Sequence, residues 1–169
     1  MIILIVSFVA LCVGFVLIAF ISRAAPPPGE ALARAGGPEA WIGRLRPEEF
    51  QKLLSLLLAE MKFDVEQSSL RGGDVDLFAV NPTPITGARI YVRGLAHPRL
   101  GQVGEEEVRI ALEAARAEMA GKAIVVTPGS FTAEARASAK GAPVDLLDGP
   151  ALLVLVKKHL PQIAAEQRV

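Results

Sequence analysis

The first 22 residues, MIILIVSFVALCVGFVLIAFIS, constrain the chain most strongly, because they contain no charged side chain. A helix of this length, rising about 1.5 Å per residue, spans a hydrocarbon core of about 30 Å. A cleaved signal peptide would carry a basic residue before an apolar core of about 7–15 residues, and here nothing basic precedes a longer core. We therefore expect residues 1–22 to form an uncleaved transmembrane helix, with the rest of the chain folding in water.

Two arginines, Arg23 and Arg34, flank the C-terminal end of this segment, and no basic side chain flanks the other end. The positive-inside rule then predicts a single-pass protein of the inner, cytoplasmic membrane, with its C-terminal domain in the cytoplasm. Three consecutive prolines and a Gly-Gly-Pro sequence follow, and they favour a stiff extended linker. We divide the chain into a transmembrane helix at 1–22, a Pro/Gly/Ala-rich linker at 23–40, a soluble domain at 41–160 and a C-terminal tail at 161–169.

The charge balance argues against one class of function. Lysine plus arginine and aspartate plus glutamate number 18 each in the whole chain, and residues 41–160 contain fifteen of each. A domain that binds nucleic acid through bulk positive charge would be basic, so this sequence allows at most a local basic patch. The single cysteine, Cys12, excludes an intrachain disulfide. No P-loop and no pair of cysteines or histidines with zinc-ligand spacing is present.

Hydrophobic spacing divides residues 41–160 into alternating helices and strands. The pattern predicts helices at 46–63, 104–121, 130–141 and 148–160, and strands at 63–68, 74–80, 87–97, 122–129 and 143–147. An opening meander followed by crossovers implies a mixed sheet with helices on both faces. The apolar positions that must cover this sheet predict a core that includes Phe50, Leu54, Leu57, Val125, Leu146 and Leu153.

The strand GARIYVRGLAH, residues 87–97, contains an arginine where a buried strand would have an apolar residue. Because side chains two residues apart point to the same face of a strand, Tyr91, Arg93 and Leu95 share one face. A solvent-facing arginine on an edge strand is the simplest explanation of this pattern. The sequence around this strand suggests a different explanation for Arg93.

Several stretches together resemble the catalytic domain of Mrr-like type IV restriction endonucleases, a family of the PD-(D/E)xK nuclease superfamily. They are PEEFQKLLSLLLAEMKFDVE, GGDVDLFA, RIYVRGL and AIVVTPGSFTAEARASAKGAPVDLLDGPALLVLV, which lie within residues 45–158. The resemblance implies a three-layer α/β/α restriction-endonuclease-like fold. In such families an aspartate on one strand and a Gln/Glu-x-Lys pair on the next cluster around a divalent cation, which stabilises charge on the scissile phosphate.

Carried over residue by residue, the resemblance implies a degenerate site. Asp76 falls on the metal-binding position, with Asp74 as its same-face neighbour, and Glu49 matches an acid that assists from the first helix. Arg93 occupies the Gln/Glu position, and Leu95 occupies the position of the lysine. We expect the Arg93 guanidinium to face Asp76, pair with its carboxylate and take the place of Mg²⁺. No resident cofactor is then expected, and Mg²⁺ is expected only in an active site.

Three functions follow from these residues. The first is a membrane-anchored pseudoenzyme of the family, which binds DNA or a protein partner at the cytoplasmic membrane without cutting. The second is an active Mg²⁺-dependent DNA endonuclease in which Arg93 or His97 replaces the lysine. The third is a structural, membrane-tethered interaction module. The acids of GEEEV, residues 104–108, could bind a metal, but their place at a helix start explains them better, since acids there complement the helix dipole.

Overall fold

The structure is a computed structural model and describes residues 41–83, 87–96 and 101–166. The predicted transmembrane helix at 1–22, the predicted linker at 23–40 and His97 lie outside these residues. Across the ranges that are described, no helix combines the length and the apolar composition needed to cross a bilayer.

The described chain contains five α-helices and seven strands. The helices are α1 (Pro47–Glu60), α2 (Glu105–Ala117), α3 (Ala133–Ser138), α4 (Gly149–His159) and α5 (Pro161–Glu166), and a 3₁₀ turn at Ile42–Arg44 precedes them. The strands are β1 (Asp64–Arg71), β2 (Asp74–Val80), β3 (Arg89–Leu95), β4 (Gln102–Val103), β5 (Lys122–Val126), β6 (Ser130–Phe131) and β7 (Val144–Leu147).

Five strands form one mixed sheet in the order β1-β2-β3-β5-β7. The first three strands form an antiparallel meander, and β3, β5 and β7 run parallel to one another through helical crossovers. The predicted mixed α/β fold is therefore confirmed. The central position of β3 contradicts the edge-strand explanation of Arg93, because neighbours lie on both sides of this strand.

Helices cover both faces of the sheet. One face, called here the α1 face, packs on α1, α4 and α5 through a core that includes Phe50, Leu54, Leu77, Val92 and Leu152. The opposite face, called here the α2 face, packs on α2 and α3 through residues that include Phe78, Leu95, Val108, Ala111 and Val125. Since residues alternate along β2 and β3, each strand contributes to both faces.

Local sequence explains where α1 begins and ends. Pro47 suits the first turn, where a backbone N–H has no helical partner, and Glu49 accepts a hydrogen bond from the Arg46 backbone N–H in a capping box. The apolar side chains that follow repeat at helical spacing and are buried on one stripe. The helix ends before Lys62, which has a positive φ of 66° and turns the chain into β1.

Three predictions differ from the structure. Leu146 is only half-buried, because it lies on β7 at the edge of the sheet; the other five predicted core residues are buried. Residues 130–131 form β6, which pairs with β4, instead of starting the predicted helix. Residues 161–166 of the predicted tail form α5, where Ala164 is buried against the α1 face.

Candidate functional site: an arginine held by three carboxylates

The candidate site lies on the α2 face, where β2 and β3 pair. The antiparallel register places Asp76 opposite Arg93, Phe78 opposite Tyr91 and Asp74 opposite Leu95. Directly opposed residues on one face of a sheet have neighbouring side chains, so this register brings the charged residues of both strands together. The pairing of Arg93 with Asp76 that the sequence predicted is present in the structure.

Arg93 contacts three carboxylates, which with Tyr91 form the Arg93 cluster. Its Nη2 lies 2.8 Å from Oδ2 of Asp74, and its Nη1 lies 3.2 Å from Oδ1 of Asp76. Its Nε donates to Oε2 of Glu107 at 3.0 Å. The Arg93 side chain is only 12% exposed, so water screens these interactions less than it screens ion pairs on the surface.

The protonation states of the cluster follow from burial and charge. Burial alone would lower the pKa of the Arg93 guanidinium, but its hydrogen bonds and the charge of Glu107 outweigh that effect and raise this pKa. Burial also raises the pKa of the Tyr91 hydroxyl, and the hydrogen bond to Asp76 raises it further. The Tyr91 hydroxyl therefore remains protonated and donates to Oδ1 of Asp76 at 2.5 Å. One guanidinium faces three carboxylates, an excess of two negative charges.

Glu107 is the residue that the sequence interpretation missed. Glu105, Glu106 and Glu107 all lie in the first turn of α2, where the helix dipole alone accounts for acids in a sequence. The structure gives Glu107 a specific partner, whereas Glu106 bonds to Arg109 along the outside of the helix. A signal was available, because Glu107 precedes buried Ala111 by four residues and so shares its helical face.

Glu49 lies away from the cluster, although the resemblance placed it in the site. It belongs to α1, which packs on the opposite face of the sheet, and its side chain accepts hydrogen bonds from Arg46. The backbone hydrogen bond from Arg46, followed by the side-chain one, lowers the pKa of Glu49. The structure therefore brings together Asp76 and Arg93 but not Glu49.

Leu95 occupies the position at which the family resemblance puts a lysine. Its side chain is 4% exposed and belongs to the apolar core of the α2 face. A lysine here would bury an ammonium group, which is costly unless the charge is paired. Leu95 is thus part of the packing between the sheet and α2, and it has no group that could move a proton or neutralise a phosphate.

The residues of the cluster do not fit a divalent cation in this arrangement. Carboxylate oxygens are the ligands that Mg²⁺ prefers, but the Arg93 guanidinium lies among the three carboxylates and binds each of them. Across residues 41–83, 87–96 and 101–166, no group of three or more His, Cys, Asp or Glu residues is arranged to hold a metal ion.

Comparisons with known proteins agree with this fold and identify the family. The model of the Mrr catalytic-domain family, described as restriction endonuclease, matches residues 42–156, which is more than half of the chain. The chain therefore belongs to this family. No curated protein gives a significant sequence match.

The solved structures that are similar to the chain include two restriction endonucleases. One is the DNA modification-dependent restriction endonuclease AspBHI, with a TM-score of 0.54 and 12% identity over 85% of this chain. The other is the MspJI restriction endonuclease in complex with a 27-mer oligonucleotide, with a TM-score of 0.47 and 18% identity over 84% of this chain. The chain spans 42% and 36% of the lengths of these two proteins. The likeness to AspBHI shows the restriction-endonuclease-like fold.

Proposed function

We propose that this protein is a membrane-anchored member of the Mrr restriction endonuclease family whose catalytic site is degenerate. In this proposal the domain binds DNA or a protein partner at the cytoplasmic face of the inner membrane and does not cut DNA. The anchor is the apolar segment at residues 1–22, and the flanking Arg23 and Arg34 support the cytoplasmic orientation.

One observation supports degeneracy above all others. The guanidinium of Arg93 makes three charge-assisted contacts, at 2.8 to 3.2 Å, with the carboxylates that a metal ion at this place would have to bind. A metal could enter only after breaking these contacts, and the contact between Arg93 and Asp76 joins two side chains that are only 12% and 16% exposed. The lysine position supplies only hydrocarbon from Leu95, so the site also lacks the basic group of the family pattern.

The negative charge of the Arg93 cluster affects which kind of partner could bind there. The excess of two negative charges opposes a DNA phosphate at the cluster itself, because like charges in a partly buried place repel strongly. DNA would therefore contact another part of the domain, whereas a basic protein segment could approach the cluster directly. A DNA-binding titration across salt concentrations separates these partners, because phosphate contacts weaken steeply as salt rises. A result without DNA binding favours a protein partner or the purely structural module.

A nuclease assay with Mg²⁺ and with Mn²⁺ tests degeneracy. We expect the unmodified chain to show no cleavage and no rise in melting temperature with Mg²⁺ concentration. Arg93→Gln removes the internal cation and leaves three carboxylates, so its melting temperature should rise with Mg²⁺ by simple linkage. Arg109→Gln is the matched control, since Arg109 pairs with two glutamates on the exposed side of α2; it should gain no response to Mg²⁺.

An active endonuclease is the second candidate, and one observation favours it. The structure brings three carboxylates together at Arg93, because Glu107 joins Asp74 and Asp76 where the resemblance had placed Glu49. In this alternative Arg93 or His97 replaces the missing lysine. Mg²⁺-dependent cleavage by the unmodified chain that disappears in Asp76→Asn would establish this function and reject the degenerate site.

The orientation has its own test. A reporter fused after Val169 should behave as cytoplasmic, because Arg23 and Arg34 follow residues 1–22 on their C-terminal side. Reporter activity on the outer side of the membrane would contradict the orientation and would also exclude intracellular DNA as the ligand.

A further inference from the structure

A groove of about 590 Å³ lies on the α1 side of the domain, across the sheet from the Arg93 cluster. It runs between the 3₁₀ turn, α1 and α5, and we call it the α1–α5 groove. Apolar side chains form most of its walls, among them Trp41, Leu45, Leu56 and Ile163. Leu56 is 49% exposed in this groove, whereas the other leucines of α1 are buried in the core.

Two cations lie in the same groove. Arg44 and Lys52 are both exposed, and neither has an ion-pair partner among the described residues. The acid that also lines the groove, Glu49, is already engaged by the backbone and side chain of Arg46. Lys52 lies close enough to Glu49 to help lower the pKa of that carboxyl, so its charge is partly offset. The groove still presents two cations against one carboxylate beside an apolar wall, and this combination is complementary to an anionic amphiphile.

The position of the groove along the chain indicates what it meets. Trp41, in its wall, is the residue at which the domain follows the linker, and residues 23–40 separate it from the apolar segment. These 18 residues reach at most about 65 Å when fully extended. Trp41 is thus the described residue nearest to the anchor along the chain, well within its reach, and tryptophan is enriched at membrane–water interfaces.

We propose that the α1–α5 groove docks on the membrane surface and binds an anionic phospholipid. Arg44 and Lys52 contact the lipid phosphate, while Trp41 and Leu56 insert at the level of the headgroups. The proposal rests on the membrane anchor proposed above and adds a second, specific contact with the bilayer. Since α1 and α2 lie on opposite faces of the sheet, docking in this way turns the Arg93 cluster toward the cytoplasm.

The chain has a built-in probe for this contact, because Trp41 is its only tryptophan. We would reconstitute the full chain in nanodiscs of phosphatidylcholine, with and without phosphatidylglycerol, and record tryptophan emission. Brominated forms of each lipid would serve as quenchers. We expect a blue shift and stronger quenching in the discs that contain phosphatidylglycerol, and strongest quenching when that lipid is the brominated one.

Charge variants make the experiment specific. Arg44→Gln with Lys52→Gln should abolish the difference between the two disc compositions, because each surface cation contributes about fivefold to binding an anionic membrane. The control pair, Arg116→Gln with Lys140→Gln, removes two exposed cations from the α2 side of the sheet and should keep the difference. Circular dichroism checks that both pairs remain folded.

Other outcomes would overturn the proposal. Emission that is equal in both disc compositions and unchanged by Arg44→Gln with Lys52→Gln would mean that something other than lipid fills the groove, for example residues 23–40. Loss of the lipid effect in both variant pairs would mean that only total charge matters. A chain that does not insert into discs would reject the anchor; vesicles of the same two compositions, added to that chain, would then give the same readout for the groove.

Discussion

The two faces of the β2–β3 pair are held in different ways. On the α1 face, β2 presents Val75, Leu77 and Ala79, all with no exposure to solvent, and the contacts are apolar throughout. On the α2 face, the same strand presents Asp74 and Asp76, which bind Arg93 on β3. The two faces of one pair of strands therefore differ in kind: one is covered by an apolar core, and the other carries a cluster of charged side chains.

The apolar face depends on close fit. Gly94 of β3 lies under α1, and a Cβ atom at this position would come within 2.6 Å of Cδ1 of Leu54 and 3.1 Å of Cε1 of Phe50. The glycine that interrupts the β3 sequence is thus explained by the close approach of α1. In such a core the free energy of unfolding depends on how completely the side chains fill the available space, since each added or removed methyl group changes the packing.

The charged face depends on complementarity of charge. Arg93 joins three elements, because its carboxylate partners come from β2 and from the start of α2. Apolar residues surround the cluster, including Leu95 and Phe78, whose ring centroid lies 5.0 Å from that of Tyr91. Removing the Arg93 charge should therefore cost more than removing a side chain of equal size from the surface, because Asp76, only 16% exposed, would lose its ion-pair partner without gaining full access to water.

The largest effect is expected from Arg93→Met, which retains much of the hydrocarbon and removes the charge. Three partly buried carboxylates then lack a cation, so a fragment of residues 41–169 should lose about 3–5 kcal/mol of unfolding free energy in urea denaturation. Arg109→Met, at an exposed position on α2, should change the stability little. Equal effects of the two substitutions would mean that the Arg93 cluster behaves as a surface network.

Leu54→Ala tests the apolar face. Leu54 is 2% exposed, and its truncation should cost about 2–5 kcal/mol through lost burial and the cavity left behind. Exposed Val154 on α4 provides the control, and Val154→Ala should change the unfolding free energy by less than about 0.5 kcal/mol. A loss at Leu54 that is as small as the control would show that the α1 face has been misassigned.

Gly94→Ala sharpens the comparison by adding one methyl group to the same place. The new methyl group must displace Leu54, so we expect a cost of about 1–3 kcal/mol. Combined with Leu54→Ala, the same substitution should cost clearly less, because the atom that it displaces is gone. Strictly additive losses in this double-mutant cycle would contradict the close contact between the strand and α1.

Tyr91→Phe should have the smallest effect. It removes one hydrogen bond to Asp76, which keeps its ion pair with Arg93, so a loss of about 1 kcal/mol is expected. Measured in the Arg93→Met background, the loss should be larger, since Asp76 then has no cation and depends more on the hydroxyl. An unchanged loss would indicate that the two groups act independently.

The sequence predicted the features that periodicity and alternation control. The spacing of leucines located α1, and the alternation along β3 placed Tyr91, Arg93 and Leu95 on one face. The family resemblance then implied that Arg93 faces Asp76. What the sequence could not supply were the contacts between elements distant in the chain. Glu107 reaches Arg93 from α2, Leu146 lies at an edge only because β7 is the last strand, and two-residue strands such as β6 are too short to show a period.

The Arg93 cluster also has a consequence for how the domain depends on its surroundings. A divalent cation is not part of the protein chain. The fraction of binding sites that it fills follows its free concentration and falls when a chelator is added. The guanidinium of Arg93 is attached to β3 by covalent bonds, so its effective concentration at the carboxylates is fixed by geometry and cannot be diluted. With the degenerate site proposed above, the domain should therefore fold to the same extent at high and at low magnesium concentration.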